Sequence, residues 1–170
     1  RPFVNTPPNQ MIIGRIEEYV RYVNEELGCP VGFCYPMVDN GGYYDKGSNV
    51  VSSLKPSEIV RFYSRAIELK GNHTKIVNTD DFLRESIMYT LGYRVSPCRA
   101  GDRVVWIDWS GSVYPCFNKG SVRLNGGNRL WSCFDASECS ECFNQCFREP
   151  SLVSGWAKAL CNWRAYKYLL

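Results

Sequence analysis

Seven of the nine cysteines fall late in the chain, at Cys98, Cys116, Cys133, Cys139, Cys142, Cys146 and Cys161, three of them inside the stretch CSECFNQCFRE. Thiols gathered in this way serve as disulfides, as zinc ligands or as ligands to iron–sulfur clusters. Left free and exposed they oxidise, so a dense group without a task is a liability. Disulfide scaffolds are shorter chains with cysteines spread throughout, whereas only Cys29 and Cys34 lie in the first 97 residues here. Those two sit beside or in an apolar run and suit small buried positions. Zinc takes four ligands, and the C-x2-C pair Cys139/Cys142 is a knuckle of the right kind. One zinc would leave three of the clustered thiols idle, and two would need eight ligands. The single histidine, His73, lies in a loop far upstream. A [4Fe–4S] cluster takes up to four thiolates and tolerates an open iron, so seven thiols divide as four and three. Zinc stays open as the alternative, in a non-enzymatic module for partner recognition.

Elements must bring these residues together. Val104 to Ile107 run out, Trp109, Ser110 and Gly111 turn, and Val113 and Tyr114 return, which predicts a hairpin that folds Cys116 back toward Cys98. Trp131, Phe134, Phe143 and Phe147 lie between the later thiols, and apolar shielding of this kind tunes a cluster's potential. A last helix is expected along the C-terminal stretch, with Trp156, Leu160 and Trp163 on one side.

The first 95 residues follow a different grammar. Short apolar runs at RPFVN, PVGFCYP and TKIVN predict strands. Between and after them, apolar residues recur at helical spacing: Ile12, Ile16, Val20, Val23 and Leu27, stopped by Gly28; Ile59, Phe62 and Ala66 in a helix from Pro56 to Lys70; and TDDFLRESIMYTLG, capped by Asn78 or Thr79. The order β-α-β-α-β-α predicts parallel strands joined by right-handed crossovers. The expected fold class is α/β, a doubly wound sheet or a (β/α) barrel over residues 1–95, then a small cysteine-rich α+β domain over 96–170. Side chains at the C-terminal ends of barrel strands gather around the reacting groups, which points to Asn5, Tyr35 and Asn78 as contacts to cofactor or substrate. The Met37–Lys55 loop is long for a connection and suits a lid or a surface insertion.

The totals exclude little. Of the 170 residues, 45% are hydrophobic and 22% charged, enough for a packed core. A net charge of +3 is too weak to indicate nucleic acid. No apolar run approaches the roughly 20 residues that span a bilayer, and RPFVNTPPNQ lacks the apolar centre of a signal peptide. A cytoplasmic location, with no membrane partner, is the expectation.

The run Cys98, twelve residues, Gly111, SVYP, Cys116 resembles the C-x(9–15)-G-x4-C opening of the SPASM domain, the C-terminal auxiliary-cluster module of many radical S-adenosylmethionine enzymes. That family continues with four cysteines and a last one, which Cys133, Cys139, Cys142, Cys146 and Cys161 match in order. The family's middle block usually runs C-x2-C-x5-C-x3-C, and here it runs C-x5-C-x2-C-x3-C. The resemblance implies that residues 1–95 are the later half of a partial (β/α) barrel, followed by one or two auxiliary [4Fe–4S] clusters. A two-cluster version assigns Cys98, Cys116 and Cys146 to one and Cys133, Cys139, Cys142 and Cys161 to the other. A reduced, single-cluster version uses Cys98, Cys116, Cys139 and Cys142. It also implies an oxidoreductase in which a further [4Fe–4S] cluster cleaves S-adenosylmethionine to a radical that takes hydrogen from a peptide, protein or small-molecule substrate, with flavodoxin or ferredoxin as electron donor. The C-x3-C-x2-C loop that holds that catalytic cluster is absent, and Cys29 and Cys34 do not have its spacing. The chain is therefore expected to begin downstream of that loop and to be inactive alone.

Overall fold

A computed structural model describes residues 2–36, 54–70, 74–119, 139–140 and 142–153. Within them the protein is a mixed α/β structure with four α-helices and small sheets. Strand β1 (Val4–Thr6) pairs in parallel with β2 (Val31–Phe33), Val4 opposite Val31 and Thr6 opposite Phe33. The third apolar run forms a single parallel bridge, Val31 to Ile76, closed by Val31 N–H to the Lys75 carbonyl and Val77 N–H to the Val31 carbonyl. The first two expected strands are thus present and parallel, while the third, TKIVN, contributes a single parallel bridge at Ile76 rather than a strand. Gly32 stands where the layers come closest: a Cβ there would meet Asn5 Oδ1 at 3.1 Å and Val77 Cγ2 at 3.2 Å.

Helix α1 (Ile16–Arg21) buries Ile16 and Val20, as its periodicity predicts. It then widens into a π-helical turn, Tyr22–Glu26. The turn admits extra residues and rotates the face, so Val23 stays buried while Leu27, expected inside, is 48% exposed. Gly28, at φ 64°, ends the segment in the left-handed conformation. Helix α2 (Pro56–Lys70) has the predicted bounds and turns Ile59, Phe62, Tyr63, Ala66 and Leu69 inward. Helix α3 (Asp80–Thr90) is capped by Thr79, whose hydroxyl accepts from Phe82 N–H at 3.2 Å. Lys70 Nζ ties the two helices by donating to the Asn78 carbonyl (2.6 Å) and to Asp80 (2.5 Å). The side chains of these elements make one core with Val31, Phe33, Ile76, Phe82 and Leu83 at its centre.

Regular elements are few among the described residues of the second half. Strands β3 (Trp106–Ile107) and β4 (Val113–Tyr114) form the expected antiparallel hairpin. Its turn is built on Asp108, whose Oδ1 accepts from the Ser110 and Ser112 amides at 2.9 Å each, and on Gly111 at φ 81°. Helix α4 (Gln145–Leu152), capped by Asn144, begins inside the cysteine-rich stretch where no helix was expected. Its contacts with α3 join the two halves. Of the C-terminal helix expected over Pro150–Leu170, the first three residues close α4 and residues 154–170 lie outside the described residues, as does the Met37–Lys55 loop up to residue 53. Among the described residues, no helix is long and apolar enough to cross a membrane.

Candidate thiol centre and strand-end cluster

The chain leaving α3 carries Cys98 to the hairpin, and the hairpin returns Cys116 beside it. Both are buried in a second apolar cluster with Ala100 and Phe147, and Val104, Trp106, Phe117 and Cys139 pack against it. The Cys98 amide donates to the Cys139 carbonyl at 2.9 Å, a bond that fastens the C-x2-C segment to the segment before the hairpin. Ser151 on α4 supports the same point, accepting from the Arg99 amide at 2.8 Å with its hydroxyl 4.0 Å from Cys98 Sγ. Burial pushes the Cys116 thiol up, the Asn118 amide opposes, and the Cys142, Cys98 and Cys139 thiols add to the rise. Burial likewise raises the half-buried Cys142 thiol, its neighbours Cys98 and Cys139 adding and the Arg148 guanidinium opposing. Cys98, Cys116 and Cys139 therefore share one apolar cluster, and the Cys142 thiol interacts electrostatically with Cys98, Cys116 and Cys139.

An aromatic wall closes it. Trp106 lies 4.7 Å from the Tyr114 ring and 5.2 Å from Phe117, and Phe117 meets Phe147 edge to face at 4.9 Å. Of the aromatics expected among the thiols, Phe147 does pack there. Phe143 instead enters the main core, against Tyr35, Phe82 and Tyr89. Trp131 and Phe134 are outside the described residues, as are Cys133 and Cys161.

Cys146 stands apart from the four. It is exposed on the first turn of α4, where its thiol neighbours Cys34 at the end of β2. Burial pushes the Cys34 thiol up to about 11, with its own amide opposing and the Cys146 thiol adding.

The strand ends form a polar cluster of their own. Asn78 is fully buried and spent on the backbone: Oδ1 accepts from Phe33 N–H at 2.6 Å, and Nδ2 donates to the Phe33 carbonyl at 3.0 Å. It extends the sheet by one side chain beyond the Ile76 bridge. Tyr35 is half-buried, stacked on Tyr63, with its hydroxyl 3.0 Å from Thr90 Oγ1. Asn5 is exposed and donates to Gln145 on α4 at 2.8 Å. Glu149, also on α4, accepts from the Thr79 amide (2.5 Å), Gln145 Nε2 (2.8 Å) and Asn78 Nδ2 (3.2 Å). Burial raises its carboxyl, and these donors oppose the rise. All three candidate strand-end contacts thus hold the fold together, Asn78 most completely.

Arg148 went unnoticed in the sequence. Its side chain is fully buried, with Nη2 donating to Glu85 at 2.8 Å and the guanidinium 4.9 Å from the Phe143 ring centre. Its Nε and Nη1 are buried without a hydrogen-bond partner. Buried cations are almost always paired, so Glu85 and Arg148 were each half of a signal, but they lie 63 residues apart and nothing local links them.

The donor set is soft: four thiols in an apolar setting, beside a buried cation with unused N–H groups, which suits a thiolate-bound centre of net negative charge. Among the described residues, no three His, Cys, Asp or Glu side chains converge as a ligand set for one ion. A tetrahedral zinc needs its sulfurs drawn to about 2.3 Å from a common point. A polynuclear cluster spreads them over several irons. The chain matches no protein-family model, and no curated protein or solved structure gives a significant match.

Proposed function

We propose that the second half of this chain is an auxiliary iron–sulfur module with Cys98, Cys116, Cys139 and Cys142 as its ligands, the single-cluster arrangement of the SPASM-like reading. The observation that supports this reading is the packing of Cys98, Cys116 and Cys139 in one apolar cluster, with the Cys98 amide bonded to the Cys139 carbonyl at the start of the C-x2-C segment. The parallel β-α-β-α-β-α order supports reading residues 1–95 as the later part of a partial barrel, and residues 96–170 as the cluster domain. On this reading the protein is the C-terminal portion of a cytoplasmic radical S-adenosylmethionine enzyme acting on a peptide, protein or small molecule, with a flavodoxin- or ferredoxin-like electron donor.

Such a cluster supplies electron transfer or an iron site for substrate. The chain's own residues then have three tasks. The hairpin fixes Cys116 through the Asp108–Gly111 turn. Trp106, Phe117 and Phe147 keep water from the sulfurs. Helix α4 couples the centre to the strand ends, because Gln145 and Glu149 bond Asn5, Asn78 and Thr79 while Phe147 packs on Cys98 and Cys116.

The test is anaerobic reconstitution of the full chain with iron and sulfide. A brown protein with broad visible absorption and about four irons per chain is expected. A colourless protein that takes up one zinc instead supports the recognition-module alternative and overturns the radical-enzyme reading.

A further inference from the structure

We infer that Glu149 is a proton-controlled clasp between α4 and the strand ends, which grips when its carboxyl takes up a proton and loosens when the proton leaves. The clasp does not depend on what the thiols bind.

The geometry places a carboxylate where neutral groups do all the bonding. Glu149 Oε1 accepts from the Thr79 amide at 2.5 Å, and Oε2 accepts from Gln145 Nε2 at 2.8 Å and Asn78 Nδ2 at 3.2 Å. None of these donors is charged, and among the described residues no cation pairs with Glu149. Lys70, whose Nζ reaches the Asn78 carbonyl, is held by Asp80, and Arg148, next along α4, is held by Glu85. The titratable groups that face the carboxyl bring no positive charge either. Tyr63 of α2 and Cys146 of α4 keep their protons more firmly because of it, and Cys34 and Asp80 stand at the end of β2 and beside Thr79. A carboxylate drawn out of water without a counter-charge is costly, and neutral donors return only part of that cost.

The network takes up a proton without losing a bond. Asn5 Nδ2 donates to Gln145 Oε1 at 2.8 Å, and Asn5 is exposed, so both amides can turn over. The protonated Oε2 then donates to Gln145 Oε1, Gln145 Nε2 donates to Asn5 Oδ1, and the Thr79 amide stays on Oε1. The charge disappears and the bonds remain. Burial accordingly raises the carboxyl above its ordinary 4.5, with the donors opposing. A folded value above the unfolded one adds stability that is complete below 4.5 and is lost as the pH rises through the folded value. The same helix packs Phe147 on Cys98 and Cys116 and bonds the Arg99 amide through Ser151, so a looser α4 loosens that cluster too.

The experiment follows amide hydrogen exchange of the full chain between about pH 5 and 8, corrected for intrinsic rates, in wild type, E149Q and E149A. The glutamine keeps both halves of the neutral network, accepting from Thr79 and donating to Gln145. In wild type, protection of α4 relative to α2 should fall as the pH rises, by up to about tenfold for each pH unit by which folding displaces the carboxyl's titration. E149Q should remove that pH dependence. E149A should open α4 about tenfold faster, or more, at every pH. A wild type whose protection rises with pH, or follows the profile of E149Q, overturns the clasp, as does wild-type protection in E149A. Should E149A fail to fold, wild type against E149Q decides alone. No iron is added, so failure of the cluster reading and failure of the clasp are read separately.

Discussion

The two halves of this chain reach stability by different means. The described residues of 2–95 bury an apolar core in which Asn78 completes the sheet edge, Thr79 caps α3 and Lys70 ties α2 to it, with Glu149 of α4 accepting from Asn78 and Thr79. The described residues of 96–153 include two two-residue strands, an eight-residue helix and a small apolar cluster built around Cys98, Cys116 and Cys139. Where regular structure is scarce, a bound metal centre commonly supplies the missing cross-links. The contrast teaches that the first half builds a core largely from its own apolar side chains, completed by Phe143 and Leu152, while α4 ties the described part of the second half to it.

Substitutions that pit one half against the other sharpen this. The largest effect is expected at Phe143, fully buried between Phe82, Tyr89, Tyr35 and Arg148. F143A should cost about 3–5 kcal/mol in denaturant unfolding, because it empties the core where the halves meet. F147A, by contrast, should speed hydrogen exchange at residues 98–119 well before it affects α2. If F147A and F143A destabilise both regions alike, the halves are one cooperative unit and the contrast fails.

Smaller changes address single elements. Gly111 turns the hairpin at φ 81°, where a side chain strains the backbone by about 1–2 kcal/mol. G111A should therefore weaken metal retention in the second half and leave the helical far-UV signal intact. T79A removes the cap of α3 and should lower stability by about 1 kcal/mol in the first half alone, with metal content unchanged.

The gentlest probe is pH. Folding raises the Cys34 thiol from its ordinary 9.0 to about 11, so the folded chain keeps its proton where the unfolded chain has lost it. That contribution is fully present below pH 9 and is lost as the pH rises toward 11. Alkylation of Cys34 in the folded protein should keep accelerating up to about pH 11; levelling off near 9 would show that burial does not govern this thiol.

Much of the first half was legible because its signals are local. Pro56, Gly28 and the Thr79 hydroxyl mark element ends through their own backbone chemistry, and the apolar spacing of Ile59, Phe62 and Ala66 selects a face. The hairpin was legible for the same reason, with Gly111 supplying the left-handed turn. The π-helical turn was hidden, since nothing in YVNEE departs from an ordinary helical pattern, and it carried Leu27 to the surface. Helix α4 was hidden by its shortness and by Pro150 within it, which argues against a helix from sequence alone. Arg148 was missed because its partner Glu85 lies 63 residues away, and the bonds of Asn78 to Phe33, 45 residues apart, were hidden for the same reason. Sequence spacing grouped all seven late cysteines; in the folded chain Cys98, Cys116 and Cys139 share an apolar cluster, while the exposed Cys146 acts electrostatically on Cys34.

That last separation gives the most direct test of the central claim. Iron and sulfide are counted per chain after anaerobic reconstitution of wild type, C98S, C116S, C139S, C142S and C146S. The account predicts about four irons in wild type and in C146S, and loss of the visible absorption in each of the other four. Equal iron in C142S and wild type, or loss on C146S with retention in C98S, would contradict it.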